Sequence, residues 1–351
     1  MPIPPLLETL LTTPGPSGQE TLAAEAWRTA AGEAGEVSTD VLGSSWVRVP
    51  GTAGGASLAV VGHVDEIAFV VTHAGDDGFA AIRPLGGWDP HVILGQRVEV
   101  LTRDGRVPGV IAARKQKRRR GEDRKALEHD DLVLDLGAAN GEEARSLVRP
   151  GDTAVVAVAP LELRNGRVAA RSLDNRIGCY VALEVARRVA AEGGGPGDVV
   201  GLAVVLEEVG DLAGSRTTAF GLEPDVAIAV DVTHATDVRG GDPEEEGECK
   251  LGGGPTLTRG PTLHPGVFEL LWETAEAEGI ACQVEVSRGQ TYTDADAVYL
   301  SRRGIATGLV SVPLRYMHTP IEVVQLDDIE ATVRLLVAFT RRLEPGRGFA
   351  R

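Results

Sequence analysis

Short apolar runs of strand length alternate with helical patterns along most of this chain, and that alternation limits the available folds more than any other feature. The strand-like runs are nearly continuously apolar, as in strands covered on both faces, and they are 58–61, 199–206, 226–230, 281–286 and 307–312. Helical patterns lie between them, at 177–192, 265–278, 294–303 and 327–342. The sequence therefore predicts an α/β fold, a three-layer sandwich with a mostly parallel central sheet.

The segment 69–160 interrupts this alternation. Its apolar runs are short and β-rich, Gly, Asp and Pro turns separate them, and the helical pattern returns only near Leu173. We therefore predict a small all-β domain over residues 69–160, inserted into an α/β domain made of residues 1–68 and 161–351. Because exposed strand edges need a partner or a cover, we expect the insert to form the contact between two copies of the chain.

Two further local patterns give structural expectations. Ser17 and Glu20 have the spacing of a capping box, which predicts a helix from there to about Ala34. The basic run 114–120 and the acidic run 242–248 are expected to be solvated loops, since blocks of like charge repel one another.

The charge of the chain excludes several classes of partner. The net charge is −16 and the pI is about 4.9, which opposes binding to nucleic acid and to anionic membrane surfaces. No apolar run approaches the roughly 20 residues of a membrane helix, and the first residues lack the pattern of a signal peptide. The three cysteines are widely spaced, as in proteins of a reducing compartment. We expect a soluble, cytoplasmic protein without nucleic-acid or membrane partners.

Potential metal ligands stand at the carboxyl ends of four predicted strands and just before one predicted helix. They are His63, Asp174, Glu207, Glu208, Asp231 and His318. Ligands of open α/β sheets bind at this edge, so these scattered positions are expected to converge. Imidazoles and carboxylates without a thiolate suit Zn²⁺, Mn²⁺ or Co²⁺, and a bridging carboxylate can hold a pair of ions. Each residue alone is more often a capping or turn residue, but the joint pattern indicates a two-metal hydrolase.

Three carboxylates refine this interpretation. Asp65 follows His63 by two residues and is either a turn residue or the acceptor of the second imidazole N–H, which metal-ligating histidines usually donate. Glu207 and Glu208 are adjacent, and neighbours on an extended chain point to opposite sides. A retaining glycosidase needs two carboxyl groups that face one substrate. The pair therefore favours one glutamate on a metal and the other on a water molecule.

A series of motifs resembles the tetrahedral and glutamyl aminopeptidase family of co-catalytic metallopeptidases, some members of which have been labelled endoglucanases. In chain order the motifs are VGHVDEIAFVV, RSLDNRIGCYVALEVA, VVLEEVG, AVDVTHATD, LGGGP, TDADA and SVPLRYMHTPIEVV. The resemblance extends from about residue 5 to residue 345. It implies a catalytic α/β domain interrupted by a β-rich dimerisation domain. It also implies homo-oligomers, with dimers assembling to a dodecamer, whose hollow interior confines the substrate to short peptides.

The resemblance also implies the ligands of each metal ion. Asp174 would bridge two divalent ions, Zn²⁺ first and Co²⁺ or Mn²⁺ as alternatives. His63 and Asp231 would complete one site, and Glu208 and His318 the other.

Glu207 would be the general base. Glu207 and Asp65 are the two candidate catalytic residues. We expect a metal-dependent aminopeptidase that removes N-terminal residues from short peptides by two-metal activation of water. The alternatives are a related amide hydrolase, such as a deacylase or a carboxypeptidase, and a catalytically silent assembly protein on the same fold.

Overall fold

The computed structural model describes residues 2–114, 126–241, 244 and 247–349. The basic run 114–120, apart from Arg114, lies outside the described residues, as does most of the acidic run 242–248. The solvated loops expected there stay predictions.

A large mixed sheet forms the centre of the α/β part of the chain. Its strands are β1 (Glu36–Thr39), β2 (Ser45–Val49), β3 (Leu58–His63), β12 (Val199–Val204), β13 (Val226–His234), β14 (Thr256–Arg259), β15 (Gln283–Val286) and β16 (Ala306–Leu314). Their order across the sheet is β1-β2-β12-β3-β13-β16-β14-β15. The four central strands β12, β3, β13 and β16 are parallel, whereas β2 and β14 join them in antiparallel pairs. The predicted parallel sheet is thus present at the centre, and the flanks make the whole sheet mixed.

Helices pack against both faces of this sheet. They are α1 (Pro5–Thr12), α2 (Thr21–Ala31), α5 (Leu173–Ala191), α6 (Ala213–Leu222), α7 (Pro265–Glu278), α8 (Ala295–Val298) and α9 (Leu326–Arg341). Helices α1, α2, α5, α7 and α9 share one hydrophobic core with the sheet, while α6 and α8 close a second, smaller core on the opposite face. The central strands are buried along their length because both faces are covered.

A closed antiparallel barrel interrupts this arrangement after β3. Its strands are β4 (Ala68–Ala74), β5 (Phe79–Leu85), β6 (Arg97–Thr102), β7 (Gly105–Ala113), β8 (Leu132–Asp135) and β9 (Thr153–Val156). Two short helices, α3 (Pro90–Ile93) and α4 (Gly141–Leu147), belong to the same part of the chain. The barrel has the order β4-β5-β8-β7-β6-β9 and a hydrophobic core of its own. The chain then returns to the large sheet through a small antiparallel sheet of β10 (Leu161–Glu162), β11 (Arg167–Ala170) and β17 (Glu322–Gln325).

The prediction of a capping box at Ser17 and Glu20 is wrong. The hydroxyl of Ser17 donates to the backbone oxygen of Val209, and the carboxylate of Glu20 accepts from the backbone N–H groups of Gly18 and Leu206. Glu20 is itself the N-cap of α2, which ends at Ala31. Tertiary contacts near the sheet edge therefore use both side chains that the local pattern assigned to a helix start.

Two other elements are shorter than their patterns. The helix predicted over 294–303 contains only α8, and the strand predicted over 281–286 contains only β15. β15 is an edge strand whose residues alternate between half-buried and exposed, so its apolar side chains are not covered on both faces. None of the helices in the described part of the chain combines the length and the apolarity that a membrane crossing requires.

Candidate metal centre

The carboxyl ends of the central parallel strands form one edge of the sheet, and the predicted ligands lie there. His63 is the last residue of β3, and its register partner on β12 is Val204. Glu207 and Glu208 lie three and four residues after the end of β12, and Asp231 lies in the second half of β13. His318 lies in the turn that follows β16. Because these strands run parallel, their ends bring the side chains to one crevice.

Asp174 reaches the same crevice from the start of α5. Gly62 on β3 and Gly178 on α5 lie so close together that a Cβ on Gly62 would overlap the backbone of Gly178. A Cβ on Gly178 would in turn overlap the backbone oxygen of Val230 on β13. The amide of Asn175 donates to the same oxygen at 2.8 Å. These close approaches place Asp174 between the ends of β3 and β13.

The two carboxylate oxygens of Asp174 face two different imidazoles. Oδ1 lies 3.1 Å from Nε2 of His63, and Oδ2 lies 3.4 Å from Nε2 of His318. Asp174 belongs to two groups of residues whose ligand atoms lie within 4.8 Å of one another. The first group contains His63 and Asp231, and the second contains Glu208 and His318. A carboxylate with one oxygen in each group has the geometry of a bridging ligand.

The neighbouring glutamates point to different members of this cluster. Glu207 Oε2 lies 3.7 Å from Nε2 of His63, whereas Glu208 Oε2 lies 3.5 Å from Nε2 of His318. The preceding residue, Leu206, has a left-handed backbone with φ of 61°, a conformation that non-glycine residues adopt mainly in turns and at functional sites. This turn after β12 directs both side chains into the crevice.

Asp65 contacts three residues of the cluster. Its carboxylate accepts hydrogen bonds from the backbone N–H groups of Glu207, at 3.1 Å, and Glu208, at 3.0 Å. Its Oδ1 also lies 3.4 Å from Nδ1 of His63, on the opposite side of the ring from Asp174. The contact with His63 is the one that sequence reasoning considered. The contacts with the glutamate backbone were not foreseen, because they depend on how the chain turns after β12.

Glu322 is a buried residue of the site that the sequence analysis missed. Its carboxylate accepts from the backbone N–H of Asp174 at 3.2 Å and from that of His318 at 3.0 Å. It therefore joins the backbones of two candidate ligands. A signal was available in the motif MHTPIE, where Glu322 follows His318 by four residues.

Asp294, in the motif TDADA, is a second buried carboxylate near the cluster that the sequence analysis did not single out as a site residue. Burial raises the pKa of Asp294 to about 6, while the charge of His63 opposes this shift. It adds to the negative charge of the crevice.

The cluster crowds carboxylates together in a buried place. Burial raises the pKa of Glu207 to about 9, with the charge of His63 opposing this shift and that of Asp231 adding to it. Burial and the charge of Asp174 raise the pKa values of Glu208 and Asp231 well above their usual range. Burial alone would also raise the pKa of Asp174, but the hydrogen bonds of the two imidazoles outweigh this effect and lower it.

The residues present fit divalent metal ions. Each three-residue group offers one imidazole nitrogen and carboxylate oxygens, a set that suits Zn²⁺, Mn²⁺ or Co²⁺. The buried Oε1 of Glu208 has no hydrogen-bond partner among the described residues, and such an atom is costly to bury unless a cation or a donor satisfies it. Positive charge between the groups would also relieve the repulsion among the carboxylates.

A cavity of about 580 Å³ opens directly onto the cluster. Its lining includes the side chains of both three-residue groups and Glu207. Its lining also includes Leu309, Met317 and the segment 287–293. The volume is in the range of pockets that take small organic ligands.

Comparisons with known proteins show the family of the chain. The sequence profile of the M42 glutamyl aminopeptidase family matches residues 43–335. A lysyl aminopeptidase of Pyrococcus furiosus is 32% identical over 347 residues, which cover 97% of each chain. A TET aminopeptidase from the marine sediment archaeon Thaumarchaeota archaeon SCGC AB-539-E09 has a TM-score of 0.91 with 33% identity, covering 97% of this chain and 96% of the other.

A further solved structure, the TET1 peptidase of Pyrococcus horikoshii, is described as assembling into a tetrahedron or a large octahedral shell. Its TM-score is 0.84 with 30% identity, covering 95% of this chain and 98% of the other. The family profile covers most of the chain, and the relatives match it over nearly their full length. The chain therefore belongs to the M42 glutamyl aminopeptidase family and is a peptidase hydrolase.

Proposed function

We propose that this protein is an aminopeptidase that uses two divalent metal ions, Zn²⁺ first and Co²⁺ or Mn²⁺ as alternatives, to remove N-terminal residues from short peptides. The observation that carries the proposal is the position of Asp174, whose two oxygens each face a different imidazole at 3.1 and 3.4 Å. His63 and Asp231 would hold one ion, Glu208 and His318 the other, and Asp174 both. When bound, such ions lower the pKa of a coordinated water and polarise a carbonyl oxygen.

The chain's own residues divide the remaining work. Glu207 lines the cavity and belongs to neither three-residue group. The positive charge of bound ions would lower its raised pKa, and its carboxylate would then be available to take a proton from the attacking water. It then gives that proton to the nitrogen of the leaving amine as the peptide C–N bond breaks. Asp65 keeps Glu207 in place through its backbone N–H and orients the ring of His63. Glu322 fixes the backbones of Asp174 and His318.

The quaternary part of the proposal rests on the relatives. Solved structures with TM-scores of 0.84 are described as a dodecamer and as a tetrahedral or octahedral shell. We propose that this chain also forms a homo-oligomer, with dimers assembling to a dodecamer, and that the barrel within residues 69–160 makes the dimer contact. A closed shell would admit short peptides and exclude folded proteins.

A panel of substrates tests the activity. We expect turnover of aminoacyl-p-nitroanilides and of short peptides with a free N-terminus, loss of this turnover after chelation, and recovery when Zn²⁺ or Co²⁺ is added back. Peptides blocked by an N-acetyl group should not be cleaved. Cleavage of N-acyl amino acids would indicate a deacylase instead. Removal of residues from the C-terminus alone would indicate a carboxypeptidase.

A further inference from the structure

A turn of the inserted barrel reaches the metal centre. It consists of Gly86, Gly87 and Trp88 and follows β5. Trp88 is buried in the core of the barrel and stacks on Phe69, with ring centroids 5.2 Å apart and an interplanar angle of 20°. The backbone N–H of Trp88 donates to the oxygen of Gly86 at 3.1 Å. The turn is therefore anchored to the barrel and not to the large sheet.

Gly87 lies against the imidazole of His318. A Cβ on Gly87 would stand 2.8 Å from Nδ1 of that ring, which is closer than real Cβ contacts allow, and 3.2 Å from Cε1, which is tighter than most of them. The opposite nitrogen, Nε2, faces Asp174 at 3.4 Å and Glu208 at 3.5 Å. The ring is thus held between two carboxylates on one side and the bare Cα of a glycine on the other.

The two imidazoles of the centre are supported in different ways. Nδ1 of His63 faces the backbone oxygen of Asp65 at 3.3 Å and its carboxylate at 3.4 Å, which is the usual support of a metal-ligating histidine. The backbone N–H of His318 donates to Glu322, and Nε2 of its ring faces Asp174. At its Nδ1 edge the ring meets Gly87. Gly87 of the barrel thus stands beside Nδ1 of His318, where the hydrogen-bond acceptor Asp65 stands beside Nδ1 of His63.

The barrel and the metal centre also lie next to each other near this contact. A small cavity of about 10 Å³ separates them, and its lining comes from both parts of the chain. The barrel side contributes Ile67, Trp88 and Val156, and the other side includes Asp174, Thr319 and Glu322.

We propose that Gly87 is a positioning residue for His318. Through Gly87 the inserted barrel helps to position the candidate metal-binding group Asp174, Glu208 and His318. This inference rests on the proposed two-metal function and assigns the barrel a role beyond contact between subunits. The absence of a side chain at position 87 sets how closely the barrel approaches the ring and therefore sets the direction of Nε2.

Gly87→Ala tests the inference by adding one methyl group at the ring edge. The φ of Gly87 is not in the left-handed region, so the backbone accepts alanine, whereas Gly86, with φ of 85°, does not. We expect the dissociation constant of one of the two ions to rise by about 10- to 100-fold, the usual effect of losing support around a metal ligand. The other ion should bind as in the wild type. Co²⁺ titration of the metal-free protein, followed by calorimetry and by visible absorption, measures both ions.

Three further variants make the outcome specific. Gly221→Ala is the matched control, because a Cβ on that helical glycine meets nothing within 4 Å, and it should titrate like the wild type. Adding Gly87→Ala to His318→Ala should change nothing further, since the ring is already absent. Trp88→Phe, which keeps an aromatic ring beside Phe69 but loosens the turn, should produce a weaker form of the same selective loss and decides the matter if Gly87→Ala does not fold.

The contrary outcomes are equally defined. Unchanged binding of both ions by Gly87→Ala, or equal weakening of both, would overturn the role of Gly87. An additional loss in the double variant would also overturn it. A wild-type protein that binds no Co²⁺ would contradict the proposed function instead.

Discussion

At the scale of single residues, Glu207 and Glu208 are neighbours in sequence with different surroundings. Glu208 shares a three-residue group with Asp174 and His318, whereas Glu207 belongs to neither group. The carboxylate of a general base should be free to reach water and substrate, whereas that of a metal-ligating residue should point at the metal position. The position of each side chain therefore supports the division of roles that adjacent glutamates suggest.

Glu207→Gln separates a base from a ligand. The amide keeps the shape of the side chain but accepts no proton, so we expect two bound ions per chain and a loss of turnover of about 10²- to 10⁴-fold. Metal analysis and p-nitroanilide hydrolysis on the same sample measure both quantities. Glu269→Gln is the matched control, since Glu269 is paired with Arg259 on the surface and should leave turnover unchanged. Full activity in Glu207→Gln, or loss of an ion, would contradict the assignment.

At the scale of elements, a buried ion-pair network ties the N-terminal segment to the start of α5. The carboxylate of Glu66 pairs with Arg171 and with Arg176, and it also accepts from the backbone N–H of Gly15 at 2.9 Å. Arg176 in turn donates to the backbone oxygen of Leu10 in α1 at 2.9 Å. The network thus joins α1, the end of β3 and α5 directly behind the metal centre.

Glu66→Gln should destabilise the fold in a pH-dependent way. Burial opposes ionisation of Glu66, but the charges of Arg171 and Arg176 outweigh this effect and lower its pKa in the folded state. The carboxylate therefore contributes stability that is complete above its unfolded pKa of about 4.3 and is lost as the pH falls toward the lower folded value. Breaking a buried pair costs about 3–5 kcal/mol. Urea unfolding should show a gap between wild type and variant at pH 7 that narrows below about pH 4; a gap independent of pH would contradict this account.

The elements also show where sequence patterns were sufficient. His63, Asp231 and the glutamate pair stand at the ends of apolar runs, and strand direction alone brings such ends together. Ser17 and Glu20 matched a capping box, but both side chains are used by contacts with distant residues, which no local pattern can reveal. The role of Gly87 is hidden for the same reason, because nothing in the turn itself indicates that His318 lies against it.

Helix α1 was missed because its eight residues, PLLETLLT, are too few for a persistent helical period. The register of the sheet and its antiparallel flanks likewise depend on tertiary pairing. The candidate ligands, in contrast, depend on the order of the strands and on residue chemistry, which the sequence carries directly.

At the scale of the whole molecule, the outer surface of the barrel carries exposed apolar side chains. Phe79 on β5 and Val110 on β7 both pair in register with Asp135 on β8, so the three residues form one row across adjacent strands. Phe79 and Val110 are 40% and 44% exposed. The barrel is closed and has no open sheet edge, so we propose that these two exposed apolar side chains, and not a strand edge, form part of the dimer contact.

Charges placed on this row should weaken assembly. We expect Phe79→Asp combined with Val110→Asp to shift the homo-oligomer toward smaller species, measured by light scattering at moderate salt, because burying unpaired carboxylates at an interface is unfavourable. Val41→Asp is the control, since Val41 is fully exposed outside the barrel and should leave the size unchanged. An oligomer of unchanged size in the double variant would show that this row is not part of the interface. A monomeric wild type would contradict the proposal of a homo-oligomer.

The central claim is that one carboxylate, Asp174, serves two metal ions, and metal titration of two variants tests it most directly. Metal-free wild type, Asp174→Asn and His318→Ala are titrated with Co²⁺ under the same conditions, with Asp198→Asn, a partly exposed partner of Arg48, as the control. We predict two ions for the wild type and the control, weakened binding of both ions in Asp174→Asn, and selective loss of one ion in His318→Ala. Loss of the same single ion in Asp174→Asn and His318→Ala would contradict the shared carboxylate.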